Sequence, residues 1–164
     1  MKMLIWIILF VIGIVLIKIF FEKIKFKKSV LGYLKKERVM NTSEQALYIN
    51  LQKTLGDKFI ILSKVRIEDF VEVKSDLARN KFNGLRNRIK SRHVDFLICD
   101  LATTKPLLAI ELDGASHKNI DRIERDKFVN NLYGEINLKV EHVLKGSDFL
   151  EEATKIKNIL KNKN

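Results

Sequence analysis

The sequence predicts an α/β domain with a mixed central sheet flanked by helices, carried behind a single transmembrane helix. Three observations predict it. Met3 to Ile17 is a run of fifteen residues with no polar side chain. Beyond residue 40, short runs rich in Val, Ile, Leu and Phe alternate with stretches whose apolar residues recur at helical spacing. Charge is divided unevenly: residues 1–40 hold nine basic and two acidic side chains, and the remaining 124 hold 22 and 18. A basic, apolar leader therefore precedes a nearly balanced globular domain, in a chain of 164 residues with net charge +11. The single cysteine, Cys99, excludes an internal disulfide framework and a multi-cysteine zinc site. One proline and seven glycines exclude collagen-like and proline-rich architectures.

The elements follow in order. Ile19-Phe20-Phe21 extends the apolar run past Lys18, and the 19 residues from Met3 to Phe21 make a helix about 28 Å long, close to the hydrocarbon thickness of a bilayer. Lys18 lies one turn from its end, where the stem stays in lipid and the ammonium reaches the headgroups. No small-x-small cleavage site follows in Lys18-Ile19-Phe20-Phe21-Glu22-Lys23, so residues 1–22 read as an uncleaved anchor that meets the membrane through residues 3–21. Only Lys2 and the amino terminus precede the run, whereas Lys18, Lys23, Lys25, Lys27 and Lys28 follow it. The positive-inside rule then puts the N-terminus outside and the domain in the cytoplasm. Residues 23–40 read as a basic juxtamembrane stem, its cations interspersed with Ile24, Phe26, Leu31 and Leu34 as suits anionic headgroups.

Residues 41–164 form the domain. A helix is expected from Asn41-Thr42-Ser43, with two capping-box registers open, Thr42 with Gln45 and Asn41 with Glu44. Leu47, Tyr48, Leu51 and Leu55 give it an apolar face. Lys58–Val65 reads as a strand, and residues 66–91 as polar loop or short helices. His93–Leu101 and Leu107–Asp113 read as strands, Asp121–Tyr133 as a helix stopped by Gly134, and Asn137–Leu144 as a strand. Asp148–Leu160 closes the chain as an amphipathic helix, giving the order α-β-β-β-α-β-α.

Acids stand out on two of these strands. By alternation Asp95 shares a face with Leu97 and Cys99, and Glu111 and Asp113 share one with Ala109. If Leu101 pairs with Lys105 around a three-residue turn, Asp95 stands opposite Glu111. Opposed carboxylates repel, and a cation between them relieves the repulsion; such hard oxygen ligands suit Mg²⁺ or Mn²⁺. A plainer reading stands beside this one: solvated acids at strand ends, Glu44 as a capping partner only, His117 as a turn residue, and Arg125 with Asp126 as a surface pair. Residues 79–92 carry six cations and no acid, which fits phosphate contacts without sequence readout and equally fits a solvated loop.

Four segments taken together resemble a known group. Glu44-x-x-Leu47-Tyr48-x-x-Leu51, His93-Val94-Asp95-Phe96, Ile110-Glu111-Leu112-Asp113-Gly114-x-Ser116-His117 and Arg125-Asp126-Lys127 are similar to an uncharacterised bacterial domain family. That family is placed in the PD-(D/E)XK, or restriction-endonuclease-like, nuclease superfamily, near the very-short-patch-repair endonuclease type. The resemblance covers roughly residues 40–145 and implies an α-β-β-β-α-β core. It implies metal-dependent phosphodiester hydrolysis of DNA or RNA by Glu44, Asp95, Glu111, Asp113 and His117. In that scheme Asp95, Glu111 and the Leu112 carbonyl hold Mg²⁺ or Mn²⁺, and Asp113 or Glu44 accommodates a second ion. Glu44 completes the metal shell or orients a water, and His117 acts as general base or leaving-group acid. Asp113 stands where the superfamily's pattern has a lysine, so the missing positive charge is expected from Lys90, Arg92, Lys118 or Arg125. The nucleic acid, DNA foremost, is expected to meet Arg86, Arg88, Lys90, Arg92, Lys118 and Arg125. The departure at Asp113 leaves open a catalytically inactive nucleic-acid-binding module on the same fold, and a third reading is a membrane-tethered protein-interaction domain whose acids serve only solubility.

Overall fold

The computed structural model describes residues 2–27, 32–114 and 120–162. The chain forms two compact units, Met1–Val39 and Met40–Asn164. The first holds one helix, α1 (Lys2–Lys27). Its stretch Ile5–Glu22 is long and apolar enough to cross a membrane, with mean hydropathy 2.6. Trp6, Phe10, Phe20 and Phe21 are among its exposed side chains. The helix runs on to Lys27 because residues 23–27 contain neither glycine nor proline to stop it.

The second unit is an α/β domain. Its elements are α2 (Thr42–Leu55), β1 (Phe59–Arg66), α3 (Arg79–Ile89), β2 (His93–Asp100), β3 (Pro106–Asp113), α4 (Ile120–Glu135), β4 (Lys139–Leu144) and α5 (Phe149–Lys161). The strands line up in the order β1-β2-β3-β4. β1, β2 and β3 pair antiparallel, and β3 pairs with β4 in parallel because α4 carries the chain back before β4 starts. The sheet is therefore mixed, as expected, with boundaries displaced by one or two residues.

Of the two readings open for residues 66–91, loop or short helices, the helical one holds over Arg79–Ile89, where α3 runs for eleven residues. Phe82, Leu85 and Ile89 recur at helical spacing and turn inward, with Ile89 buried, while the many cations between them mask the pattern in the sequence.

Helices cover both faces of the sheet. On one face Leu47, Leu51 and Leu55 of α2 and Ala153, Ile156 and Leu160 of α5 pack on Phe96, Ile98, Leu108 and Ile110. On the other, Tyr133 of α4 packs with Leu97, Cys99 and Ala109. A third cluster of Ile67, Val71 and Ile89 packs against Phe128, Val129 and Leu132 of α4. Each fully buried Leu, Ile or Phe stabilises the fold by about 1.5–3 kcal/mol.

Two irregularities in the sheet shape the site. Leu97 and Cys99 face one way and Phe96 and Ile98 the other, as alternation requires, but Val94 joins Leu97 rather than Phe96. The break falls at Asp95, and beside it on β1 Lys64 takes a left-handed backbone with φ 55°. The second lies in the β2–β3 hairpin. Phe96↔Ile110, Leu97↔Ala109 and Ile98↔Leu108 keep the expected register, so Asp95 and Glu111 are next in line. The turn differs, because the register shifts between Ile98 and Cys99, and Asp100 N–H, not a Leu101 pair, closes on Lys105 O at 2.9 Å. The Asp100 carboxylate organises that turn by accepting from Ala102 N–H, Thr103 N–H and Thr103 Oγ1–H.

Candidate functional site

The site begins at the cap of α2. Asn41 Oδ1 accepts from Glu44 N–H at 3.0 Å, and Glu44 Oε2 accepts from Asn41 N–H at 2.9 Å. Of the two capping registers open in the sequence, this is the one adopted. The cap uses one oxygen of Glu44 and leaves the other for Lys64, whose Nζ lies 2.7 Å from Glu44 Oε1 and 2.6 Å from Asp95 Oδ1. Asp95 Oδ2 accepts from Leu112 N–H at 2.9 Å. One continuous polar chain, Asn41–Glu44–Lys64–Asp95–Leu112, therefore ties α2 to β1, β2 and β3.

Burial makes these contacts strong. The side chains of Glu44, Asp95 and Lys64 are only 9, 15 and 25% exposed, so their charge-assisted hydrogen bonds work in a medium poorer in water. Burial alone pulls the Lys64 ammonium down, yet its hydrogen bonds to Asp95 and Glu44 prevail and hold its pKa above the ordinary value of 10.5. They also hold a backbone that costs a non-glycine residue about 1 kcal/mol or more.

Beside this chain a cavity of about 320 Å³ opens, lined by Arg92, His93, Asp95, Glu111, Asp113 and His142, with Val129 and Asn130 of α4 as a wall. Glu111 stands beside His142 in the parallel β3–β4 ladder, and Asp113 Oδ2 lies 2.9 Å from His142 Nδ1. Among the described residues, the buried Tyr133 hydroxyl has no hydrogen-bond partner. Burial first, and then the negative charge of Glu111 and Asp95, pushes its phenol well above the usual range.

The structure thus brings Asp95, Glu111 and Asp113 to one cavity and joins Glu44 to it through Lys64. Among the described residues, no three of His, Cys, Asp and Glu gather in a group able to hold a metal ion. Lys64 meets Asp95 and His142 meets Asp113. His117 and Lys118 lie outside the described residues, and of Arg125 only the helical backbone is described.

Of the expected sources of positive charge, Arg92 lines the cavity, and Lys64, which was not among them, contacts Glu44 and Asp95. Sequence reasoning missed Lys64, His142 and Tyr133. Two of them left a signal. Ser63-Lys64 interrupts the apolar body of β1, and His142 is one of three histidines in the chain, on the strand parallel to Glu111.

The basic run is partly committed to structure. Arg86 Nε lies 3.6 Å from Glu68, and the guanidiniums of Arg88 and Arg92 sit 3.9 and 4.8 Å from the centre of the Phe128 ring. Those stacking contacts pin the end of α3 to α4, each contributing about 1 kcal/mol. Arg79, Lys81 and Lys90 are exposed.

The family model described as "Protein of unknown function (DUF2726)" matches residues 36–158, most of the chain and nearly all of the α/β unit. No curated protein and no solved structure matches the chain.

Proposed function

We propose that this chain, which belongs to the DUF2726 family, is a membrane-anchored nuclease whose restriction-endonuclease-like domain faces the cytosol. The observation that carries the reading is the meeting of Asp95, Glu111 and Asp113 from neighbouring strands in one cavity, beside the ammonium of Lys64. The run α2-β1-β2-β3-α4-β4 agrees with the α-β-β-β-α-β core of the PD-(D/E)XK superfamily, with α3 as an insertion. Carboxylate oxygens are hard donors and fit Mg²⁺ or Mn²⁺, which Asp95 and Glu111 would hold with the main chain of Leu112. Bound there, such an ion supplies polarisation of the scissile phosphate and a water of lowered pKa.

The chain's own residues do the rest. Lys64 fixes Glu44 and Asp95, using two of its three N–H donors. Asp113 fixes the imidazole of His142 on the cavity rim. Arg79, Lys81 and Lys90 draw phosphates toward the α3 side of the cavity without reading sequence. α1 holds the domain at the membrane, and the lysines after its apolar run keep that domain on the cytoplasmic side.

The test uses the full-length protein in detergent, mixed with single- and double-stranded DNA and RNA in Mg²⁺, in Mn²⁺ or in chelator. Cleavage is expected with either ion and not with chelator. Binding that weakens steeply with salt, without cleavage under any condition, selects the inactive module that Asp113 in the lysine's place favours.

A further inference from the structure

We infer that Lys64 is a built-in counter-ion, holding the cation position between Glu44 and Asp95 so that a hard divalent ion reaches Asp95 only in competition with its ammonium. The inference rests on reading the cavity as a divalent-ion site. Four features carry it.

The first is contact. Lys64 Nζ touches Glu44 Oε1 at 2.7 Å and Asp95 Oδ1 at 2.6 Å, which is where a cation shared by these two acids has to sit. The second is restraint. The remaining oxygen of each acid is held by a main-chain N–H, Asn41 for Glu44 and Leu112 for Asp95. Neither carboxylate can turn away from Lys64 without giving up a hydrogen bond. The acids are therefore preorganised before any metal arrives.

The third is charge. Glu44 and Asp95 carry two negative charges and Lys64 returns one positive charge, so a divalent ion entering beside Lys64 meets an ammonium in a poorly hydrated place. The fourth is mobility of the right partner. The lysine stem is flexible and a quarter exposed, so Lys64 is the member of the trio that can withdraw to water. Its left-handed backbone is a further sign that the position is kept for the contact rather than for the strand.

The test reads ion binding without nucleic acid. Full-length wild type, Lys64→Met and Lys64→Gln are purified in detergent and stripped with chelator. Thermal melting is then followed, together with calorimetric titration by Mn²⁺. Both variants are expected to melt below wild type in chelator, and to bind Mn²⁺ about tenfold more tightly, within the range usual for coupled sites. Their melting temperatures should also rise more on adding Mn²⁺. A variant that folds only when Mn²⁺ is present supports the inference equally. Mn²⁺ affinity in the variants equal to or weaker than wild type overturns it, and so does a lack of binding by all three proteins. Tighter Mn²⁺ binding in a protein that cleaves nothing keeps the counter-ion and discards the nuclease.

Discussion

Lys64 Nζ and Asp95 Oδ1 lie 2.6 Å apart at facing positions of β1 and β2 that the main-chain ladder skips. Ser63↔Phe96 and Val65↔Val94 pair on either side of them. At this one step the side chains make the cross-strand connection, and the Lys64 backbone goes to φ 55°. Strained residues persist where surrounding contacts over-determine them, and such residues cluster at functional sites. The pair lies between the cap of α2 and the cavity holding Glu111 and Asp113, so it links the start of the domain to its acids.

This pair makes stability sensitive to alkali. The Lys64 pKa is raised in the folded state, so its contribution is complete below the ordinary 10.5 and is lost as pH climbs through the higher folded value. Urea unfolding of chelated wild type and Lys64→Met should therefore differ by a constant amount near neutrality. The difference should shrink above the ordinary lysine range. A gap between the two proteins that survives at the most alkaline pH would place the effect in packing rather than in charge.

Tyr133→Phe should stabilise the domain. The buried hydroxyl has no hydrogen-bond partner among the described residues, and removing it relieves an unmet desolvation cost of about 1 kcal/mol or more. A melting temperature above wild type is expected in chelator. A lower one would show that the hydroxyl makes a contact the folded protein needs.

Cys99 should be silent in the native state. It is buried in one cluster with Leu97 and Ala109, and burial pushes its thiol up, away from the reactive thiolate. A thiol reagent should label it only on unfolding, with the same midpoint as circular dichroism. Rapid labelling of folded protein would contradict the packing of that face.

The basic segment should divide into two classes. Arg88→Ala is expected to lower stability by about 1 kcal/mol through loss of its stacking on Phe128. Lys90→Ala should leave melting unchanged and reduce the salt dependence of nucleic-acid binding by about one phosphate contact. An unchanged salt slope in Lys90→Ala would remove that residue from the interface.

The fold was legible where pattern and chemistry coincide. The apolar run of α1, the short runs of β2 and β3 rich in Val, Ile, Leu and Phe, and the amphipathic α5 each carry a local signature in the sequence. α3 was hidden because its apolar face is narrow and its cations dominate any count of polarity. The site was legible in its acids, which sit among core residues where an acid is costly. It was not legible in Lys64, a lone lysine whose significance comes from a contact 31 residues away. Glu44 is more than the capping partner its spacing suggests, since one oxygen completes the cap of α2 while the other holds Lys64.

The central claim is that acids from β2 and β3 cleave phosphodiester bonds together. It is tested most directly by single-turnover cleavage of a labelled DNA duplex and of its single strands. Full-length protein, Asp95→Asn and Glu111→Gln would be compared in detergent with Mn²⁺. Wild type should convert substrate to shorter products, with each variant slower by about a hundredfold and melting cooperatively as wild type does. Cleavage unaffected by either substitution would contradict the account, as would its absence from wild type with every nucleic acid and ion.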